Sequence, residues 1–365
     1  MFPGDLLLLT DYNNKSVKLA DPTSGQLLDQ LQLPGRPHGM CLLPGDRAAV
    51  TIPAKSIIQT ILVTNKKLAL QDGIQIEGQC SAPHTDFTKV KLNRQSDINV
   101  KSPTDKRDCY ITDLAMLPSD LLLLTDSMNQ SVKLADPASG QLLDQLQLPG
   151  RPHGMCLLPG DRAAVTIPDK STIQTIAVTN KKLALQDKIQ LQERCFGIDF
   201  INDYFVVGFM EPAQVSLVGK NGKIYKSISQ NSQLFRYPDY ICVTTENTSN
   251  VIYVSDRGTN TITRLSEDLQ VLQSFRDTAL QSLRGLASVG EGQLLVVNCG
   301  GLFSPTTLNV LDVTTGQFTQ LLGREEKLRF ILVGCVAVSH TLRTVYINDY
   351  LYIGNMITQY KIKSH

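Results

Sequence analysis

Apolar residues in this chain come in short runs rich in Val, Ile, Leu and Tyr, each closed by a cluster of Asp, Asn, Gly and Ser. Runs of that kind predict β-strands, and the small polar clusters predict the tight turns between them. Segments such as DLLLLTDSMNQSVKLADP near 120, NVIYVSDRGTNTITRLS near 250 and RTVYINDYLYIGNMITQYKI near 343 each read strand, polar turn, strand. No stretch sustains the periodicity of an amphipathic helix. The pattern predicts an all-β protein.

That pattern repeats on two scales. At an offset of 115 residues, 5–72 matches 120–187 at all but about seven of roughly 68 positions, which is a duplication. Beneath it lies a weaker period of about 40 residues holding about four short strands. This is the mark of a β-propeller blade, a small twisted sheet that buries its faces only against flanking copies. From Cys109 onward six segments read as the first strands of successive blades: CYITDLAML, HGMCLLP, CFGIDF, DYICVTT, RGLASV and GCVAVS. The last blade ends after three strands, at 360–363, and the short segment 98–101 is expected to supply its fourth, sealing the ring and removing its open edge. The expected organisation is a six-bladed β-propeller over 97–365, a linker over 81–96 carrying Pro83, His84 and mixed charge, and a partial duplicate of two blades over 1–80. The first member of that duplicate lacks an inner strand. Whether the duplicate extends the ring, packs beside it or is partly ordered stays open, with the last two readings preferred.

In LLLLTDSMNQSVKLAD and VIYVSDRGTNTITRLS, Asp126 with Asn129 and Asp256 with Asn260 flank the turn between the second and third strands. This blade pattern resembles the NHL repeat. The succession CYITDLAMLP, HGMCLLPGDRAAVTIP, RYPDYICV and NVIYVSDRGTNTITRLS is similar, over about 97–363, to the C-terminal propeller of invertebrate tripartite-motif (TRIM) proteins. The resemblance implies an NHL-type propeller that recruits a partner protein or RNA. In that family an N-terminal RING finger transfers ubiquitin, while B-boxes and a coiled coil assemble the dimer. None of those parts is legible in this chain. It resembles the substrate-recruiting domain of the ubiquitin pathway detached from its ligase machinery, and is expected to display partners or to compete for those of full-length relatives. The final blades depart from the pattern at NCGGLFSPTTL and INDYLYIGNMI.

Composition adds exclusions. With 42% hydrophobic residues, 19% charged residues and a formal net charge of +1, the chain exerts no long-range pull on nucleic acid, and no DNA partner is expected. The apolar run at 6–9 is too brief for a signal segment or a membrane span, so a soluble, cytoplasmic protein without a membrane partner is expected. The sequons at Asn14, Asn129 and Asn247 then read as chance matches in polar turns. Eight cysteines contain no C-x-x-C pair, and five histidines are too scattered for RING or B-box zinc sites. No metal, no cofactor and no ligase activity are expected. Cys109, Cys156, Cys195, Cys242 and Cys335 fall at or beside the starts of inner strands in separate blades, which suits small buried hydrophobes better than disulfides. His38 and His153 sit in the repeated phrase GRPHGM, where a turn or packing role is expected. No G-x-S-x-G, Walker or H-E-x-x-H motif occurs, so a non-enzyme is expected. A lesser alternative is a gluconolactonase-like metal-dependent hydrolase with Glu211, Asn298 and Asp349 as ligands.

In a propeller, the loops that lead into the inner strands and the turns between second and third strands emerge on one face. Arg107, Arg151, Arg194, Arg236, Arg284 and Arg329 stand one ahead of each inner strand. Asp126, Asp169, Glu211, Asp256 and Asp349 fall on the same face, where pairing with these arginines is one expectation. The sharper one is a ligand-binding face of the arginines with His153, Arg257 and the aromatics Phe196, Phe209, Tyr237, Phe303 and Tyr350. Arginine with aromatics suits an acidic peptide or single-stranded RNA. Near-neutral charge and the absence of Trp favour a protein partner, with a single-stranded RNA-binding propeller in post-transcriptional regulation as the alternative.

Overall fold

The computed structural model describes residues 6–11, 14–37, 40–43, 47–52, 57–75, 85–229, 234–246, 249–290, 292–300, 306–323, 334–339, 343–349 and 355–363. Among them, regular structure consists of strands and short 3-10 turns, as the sequence pattern predicts. No helix of the described residues is long and apolar enough to cross a membrane. The chain divides into two compact units, Met1–His84 and Thr85–His365.

The described residues of the second unit form six four-stranded antiparallel sheets. Their innermost strands are Ile111–Met116, Met155–Leu158, Cys195–Ile201, Pro238–Glu246, Leu283–Gly290 and Val336–Ser339, one in each segment expected to hold a first strand. Each touches the next, and the sixth touches the first, so the sheets stand around a closed ring. Burial follows position in the sheet. The second strands Leu122–Asp126 and Gln293–Asn298 are buried at every position because neighbouring sheets cover both faces, whereas the outermost strand Ile224–Ile228 is mostly exposed. The core is accordingly a set of layers between sheets. Leu122 and Leu124 pack with Tyr346 and Ile357 of the sixth sheet, while Leu123 and Leu134 pack with Val165 and Ile176 of the second. At the tightest points only glycine fits: a Cβ on Gly197 would lie 2.8 Å from the Asp239 carbonyl oxygen of the next inner strand.

The sixth sheet takes its outer strand from the start of the unit. Lys91–Asn99 pairs antiparallel with Met356–Lys363, Ile98 opposite Ile357. The closing strand expected at 98–101 therefore begins at Lys91 and ends at Asn99. Ahead of it, Phe87–Lys89 forms a 3-10 turn whose Phe87 is buried with Leu295, Val310 and Val345, its N–H donating to Gln293 Oε1 at 2.9 Å. Residues 85–96 thus belong to the second unit, not to the linker expected over 81–96; residues 81–84 lie outside the described residues. Two asparagines complete the seam. Asn348 Nδ2 donates to the Ile111 carbonyl at 3.1 Å, and Asn355 Oδ1 accepts from Cys109 N at 2.9 Å.

The first unit, taken by itself, holds a three-stranded sheet of Leu7–Asp11, Ser16–Asp21 and Gln26–Gln32. It also holds a four-stranded sheet of Met40–Leu43, Arg47–Ile52, Ile57–Thr64 and Lys67–Gln75. Val17, Leu19, Val50, Ile52 and Ile61 form its core. No strand precedes Leu7–Asp11 among the described residues. Leu7 and Leu9 are 38% and 44% exposed, where their duplicates Leu122 and Leu124 are fully buried beneath an inner strand and a neighbouring sheet.

Candidate functional site

In five of the six sheets, a polar side chain at the end of the second strand or in the turn after it accepts from a backbone N–H of the segment leading into an inner strand. Asp126 Oδ1 accepts from Tyr110 N at 3.0 Å. Asp169 Oδ1 accepts from Arg151 N at 3.2 Å, and Asp256 accepts from Arg236 N at 2.6 Å and Tyr237 N at 3.0 Å. These bonds satisfy main-chain donors at a sheet end, and they bring the turns and the leading loops to one end of the ring. They also overturn the expected pairing: these carboxylates hold backbone N–H groups, not arginine side chains. The charge of Asp126 is met by Lys133, whose buried ammonium lies 2.8 Å from it, 2.6 Å from Asp105 and 3.0 Å from Cys109 Sγ. Asp105, Cys109 and Asp126 converge closely enough to hold a metal ion, but the Lys133 ammonium already stands there as the cation.

Arg107, Arg151, Arg194 and Arg236 are exposed at this end, and among the described residues none of their guanidinium groups makes an ion pair. Arg194 stands 5.6 Å over Phe196, and Arg236 stands 5.7 Å over Tyr237. Lys106, Arg107, Asn129, Gln145 and Arg151 line a polar cleft of about 320 Å³. Phe209 is not on this face. It is fully buried between the second and third sheets with Ala164, Ile173 and Val218, because the strand Tyr204–Met210 turns it into the inter-sheet layer. Phe303, Arg329 and Tyr350, like His38 and the side chain of Asp349, lie outside the described residues. Of the other hydrolase ligands considered, Glu211 is exposed and Asn298 is committed to Gln281 N and Thr307.

Arg257 and Arg284 behave differently, reaching the mouth of the central channel. Arg257 Nε lies 2.5 Å from Asp239 Oδ2, and Arg284 reaches the same oxygen at 3.9 Å. Asp239 heads its inner strand and its side chain is 1% exposed, against 34% for Arg257 and 17% for Arg284. Burial pushes the Asp239 carboxyl upward, and the two guanidiniums oppose that shift. Arg257 Cζ stands 4.4 Å over the centre of the Tyr237 ring. The space for that ring depends on Gly258, whose Cβ would come within 2.6 Å of it. Next to Asp239, Tyr240 crosses the channel from the fourth sheet to the first, its hydroxyl donating to the Thr112 carbonyl at 3.0 Å. His153 packs 5.4 Å from Phe196 and 5.9 Å from Tyr240. Burial, with the positive charge of Arg284 and Arg257, pushes the His153 imidazole down to about 4, so it is neutral at physiological pH. Further along the inner strands, Asp113 accepts from Leu114 N and Met155 N, and Asp199 from Phe200 N and Val243 N. Burial pushes both carboxyls up to about 7.

No family model and no curated protein matches the chain. Solved structures do. The structure of streptogramin B lyase is similar over 75% of this chain and 98% of its own, with a TM-score of 0.51 and 11% identity. Hydrazine synthase of Kuenenia stuttgartiensis is similar over 68% of this chain and 76% of its own, with the same TM-score of 0.51 and 11% identity. Both are β-propeller proteins. The chain is a β-propeller. At that identity the likeness carries the fold and no chemistry. In this propeller Cys109, Cys156, Cys195, Cys242 and Cys335 are free and buried. Burial pushes the Cys109, Cys195 and Cys242 thiols up to about 12, which leaves them packing groups without thiolate reactivity.

Proposed function

We propose that the propeller is a binding platform that recruits a partner protein by an acidic segment laid over the arginine-bearing end of the ring. The observation that carries this reading is the set of exposed guanidiniums on Arg107, Arg151, Arg194 and Arg236, with nearby acids occupied by main-chain donors. Guanidinium presents a fixed fork of donors that matches a carboxylate in two parallel hydrogen bonds. Phe196 and Tyr237, beneath two of the arginines, add rigid amphipathic contact area. Acidic and basic side chains alternate over this end, so the field there stays modest. Affinity then rests on short-range paired hydrogen bonds, which suits a peptide and disfavours RNA, whose binding draws on summed phosphate neutralisation. The resemblance to NHL repeats supports the same role, as does the partner recruitment it implies for the TRIM-type propeller.

The test uses the full chain with fluorescein-labelled hexaglutamate and, separately, an oligouridylate of similar length. The peptide is expected to bind saturably, and Arg107→Glu combined with Arg151→Glu to weaken it by roughly tenfold or more, the scale of losing charged hydrogen bonds. Two results would sink the proposal: peptide affinity indifferent to the double substitution in a protein that melts like the parent, or tighter binding of oligouridylate with a steep salt dependence.

A further inference from the structure

The channel mouth poses a separate question, because its polar groups do not close among themselves. Asp239, Arg257 and Arg284 come from two adjacent sheets, and His153 comes from a third. Two guanidiniums share one carboxylate oxygen, Asp239 Oδ2. That leaves one positive charge in excess, because His153 is neutral. Among the described residues, Asp239 Oδ1, Arg284 Nε and His153 Nδ1 are buried atoms without a hydrogen-bond partner. An orphaned buried donor or acceptor costs on the order of 1–3 kcal/mol, more when the group is charged. Three at one place, around a carboxylate whose side chain is 1% exposed, are the residue of an incomplete set of partners. Beside them Tyr240 spans the ring to the Thr112 carbonyl, and the aromatic rings of Phe196 and Tyr237 pack against His153 and Arg257.

We infer that this mouth is a binding pocket for a small carboxylate carrying a hydrogen-bond donor on the adjacent carbon, a 2-hydroxy acid or 2-amino acid. The ligand carboxylate meets the excess charge and takes the free Arg284 Nε. Its neighbouring hydroxyl or ammonium donates to Asp239 Oδ1. With Arg284 Nη1 3.9 Å from Asp239 Oδ2, ligand groups on neighbouring atoms match the pair, which favours this class over a simple carboxylate. The anion stands among Arg257, Arg284 and His153, so it relieves the repulsion from the two arginines that adds to burial in keeping His153 unprotonated. Its charged groups, Asp239, Arg257 and Arg284, are distinct from the outer arginines, while Phe196 and Tyr237 border both sites.

The test titrates the full-length protein with L-lactate, with propionate and chloride at matched ionic strength as controls. Calorimetry is expected to show saturable lactate binding at least tenfold tighter than propionate. Arg284→Gln and Arg257→Gln are expected to abolish the difference, while Arg107→Glu with Arg151→Glu leaves it unchanged, which separates this pocket from the peptide platform. A readout independent of any variant is the imidazole titration of His153 by nuclear magnetic resonance. Its midpoint is expected to rise by about one unit in saturating lactate and to stay put in propionate or chloride. Equal response to lactate and propionate, no saturation, or an unmoved His153 midpoint overturns the inference.

Discussion

Lys133 and Lys18 occupy the same place in two nearly identical sequences and meet opposite surroundings. Lys18 pairs with Asp11 at 2.5 Å with both side chains partly in water. Lys133 pairs with Asp126 and Asp105, all three side chains inaccessible, because the segment before its inner strand brings Asp105 and the Val100 carbonyl over it. Lys133→Met strands two buried carboxylates and should cost about 3–5 kcal/mol, as breaking buried pairs does. Lys18→Met should leave stability almost unchanged, since partly exposed pairs contribute little. Urea unfolding resolved by hydrogen exchange in each unit measures both, and equal effects would show that the extra partners of Lys133 carry no weight. The same contrast marks what a string of residues conceals. Apolar runs place strands, but whether Phe209 lines a face or an inter-sheet layer depends on which side the next sheet covers. Six arginines at like positions look alike in sequence, yet Arg284 turns inward and Arg236 outward. Asp239 and Tyr240 were legible only as a charged and a hydroxylated residue at the head of the otherwise apolar DYICVTT.

Between neighbouring strands, the inner ring is fastened by side chains as well as by packing. Asp113 Oδ2 takes the Met155 N–H of the next inner strand at 2.8 Å, and Asp199 takes that of Val243. Both carboxyls stay protonated in the folded protein up to about 7, whereas unfolded aspartate ionises near 4. Between those values the native state holds protons that the unfolded chain has lost, so stability should fall as pH rises from about 4 to about 7. His153, pushed down to about 4, works in the opposite direction below its ordinary value near 6.5, but two carboxyls outweigh one imidazole. Thermal melts should therefore show a lower midpoint at pH 8 than at pH 5, and Asp113→Asn with Asp199→Asn should abolish that drop or reverse it, leaving His153 to raise stability with pH. A slope unchanged in that variant would mean that other groups set it. At this scale the sequence was informative, since all six inner strands fell in apolar segments of one period. It caught only the end of Lys91–Asn99, the closing strand expected at 98–101, because that strand is the outer edge of its sheet. Its mostly exposed Lys, Asn, Arg, Gln, Ser and Asp are what a solvated edge requires, and what a linker also looks like.

Across the whole molecule, the ring closes between its two ends, so its stability depends on where its first residue is taken to be. Residues 85–365 contain Phe87, buried against the fifth and sixth sheets, and the full pairing of Lys91–Asn99 with Met356–Lys363. A chain beginning at residue 97 keeps Asp97, Ile98 and Asn99 opposite Thr358, Ile357 and Met356, and loses the pairs Arg94–Tyr360, Asn93–Lys361, Leu92–Ile362 and Lys91–Lys363. Expressed alone, 85–365 should melt in one transition, as a closed ring with a continuous set of inter-sheet layers does. The shorter 97–365 should be weaker by more than the loss of a buried phenylalanine alone, about 3–5 kcal/mol. It should also self-associate, because Met356–Lys363 would offer a bare edge to other chains. Calorimetry and sedimentation velocity on the two fragments check both consequences. If they melt together and remain monomeric, the closing strand is held by Ile98 alone, and the residues ahead of it are as dispensable as their composition suggests. If they differ as argued, the boundary of the folding unit lies in a stretch whose polarity hid it, and the second copy of the repeat owes its buried Lys133 and covered leucines to a ring that the first unit by itself does not form.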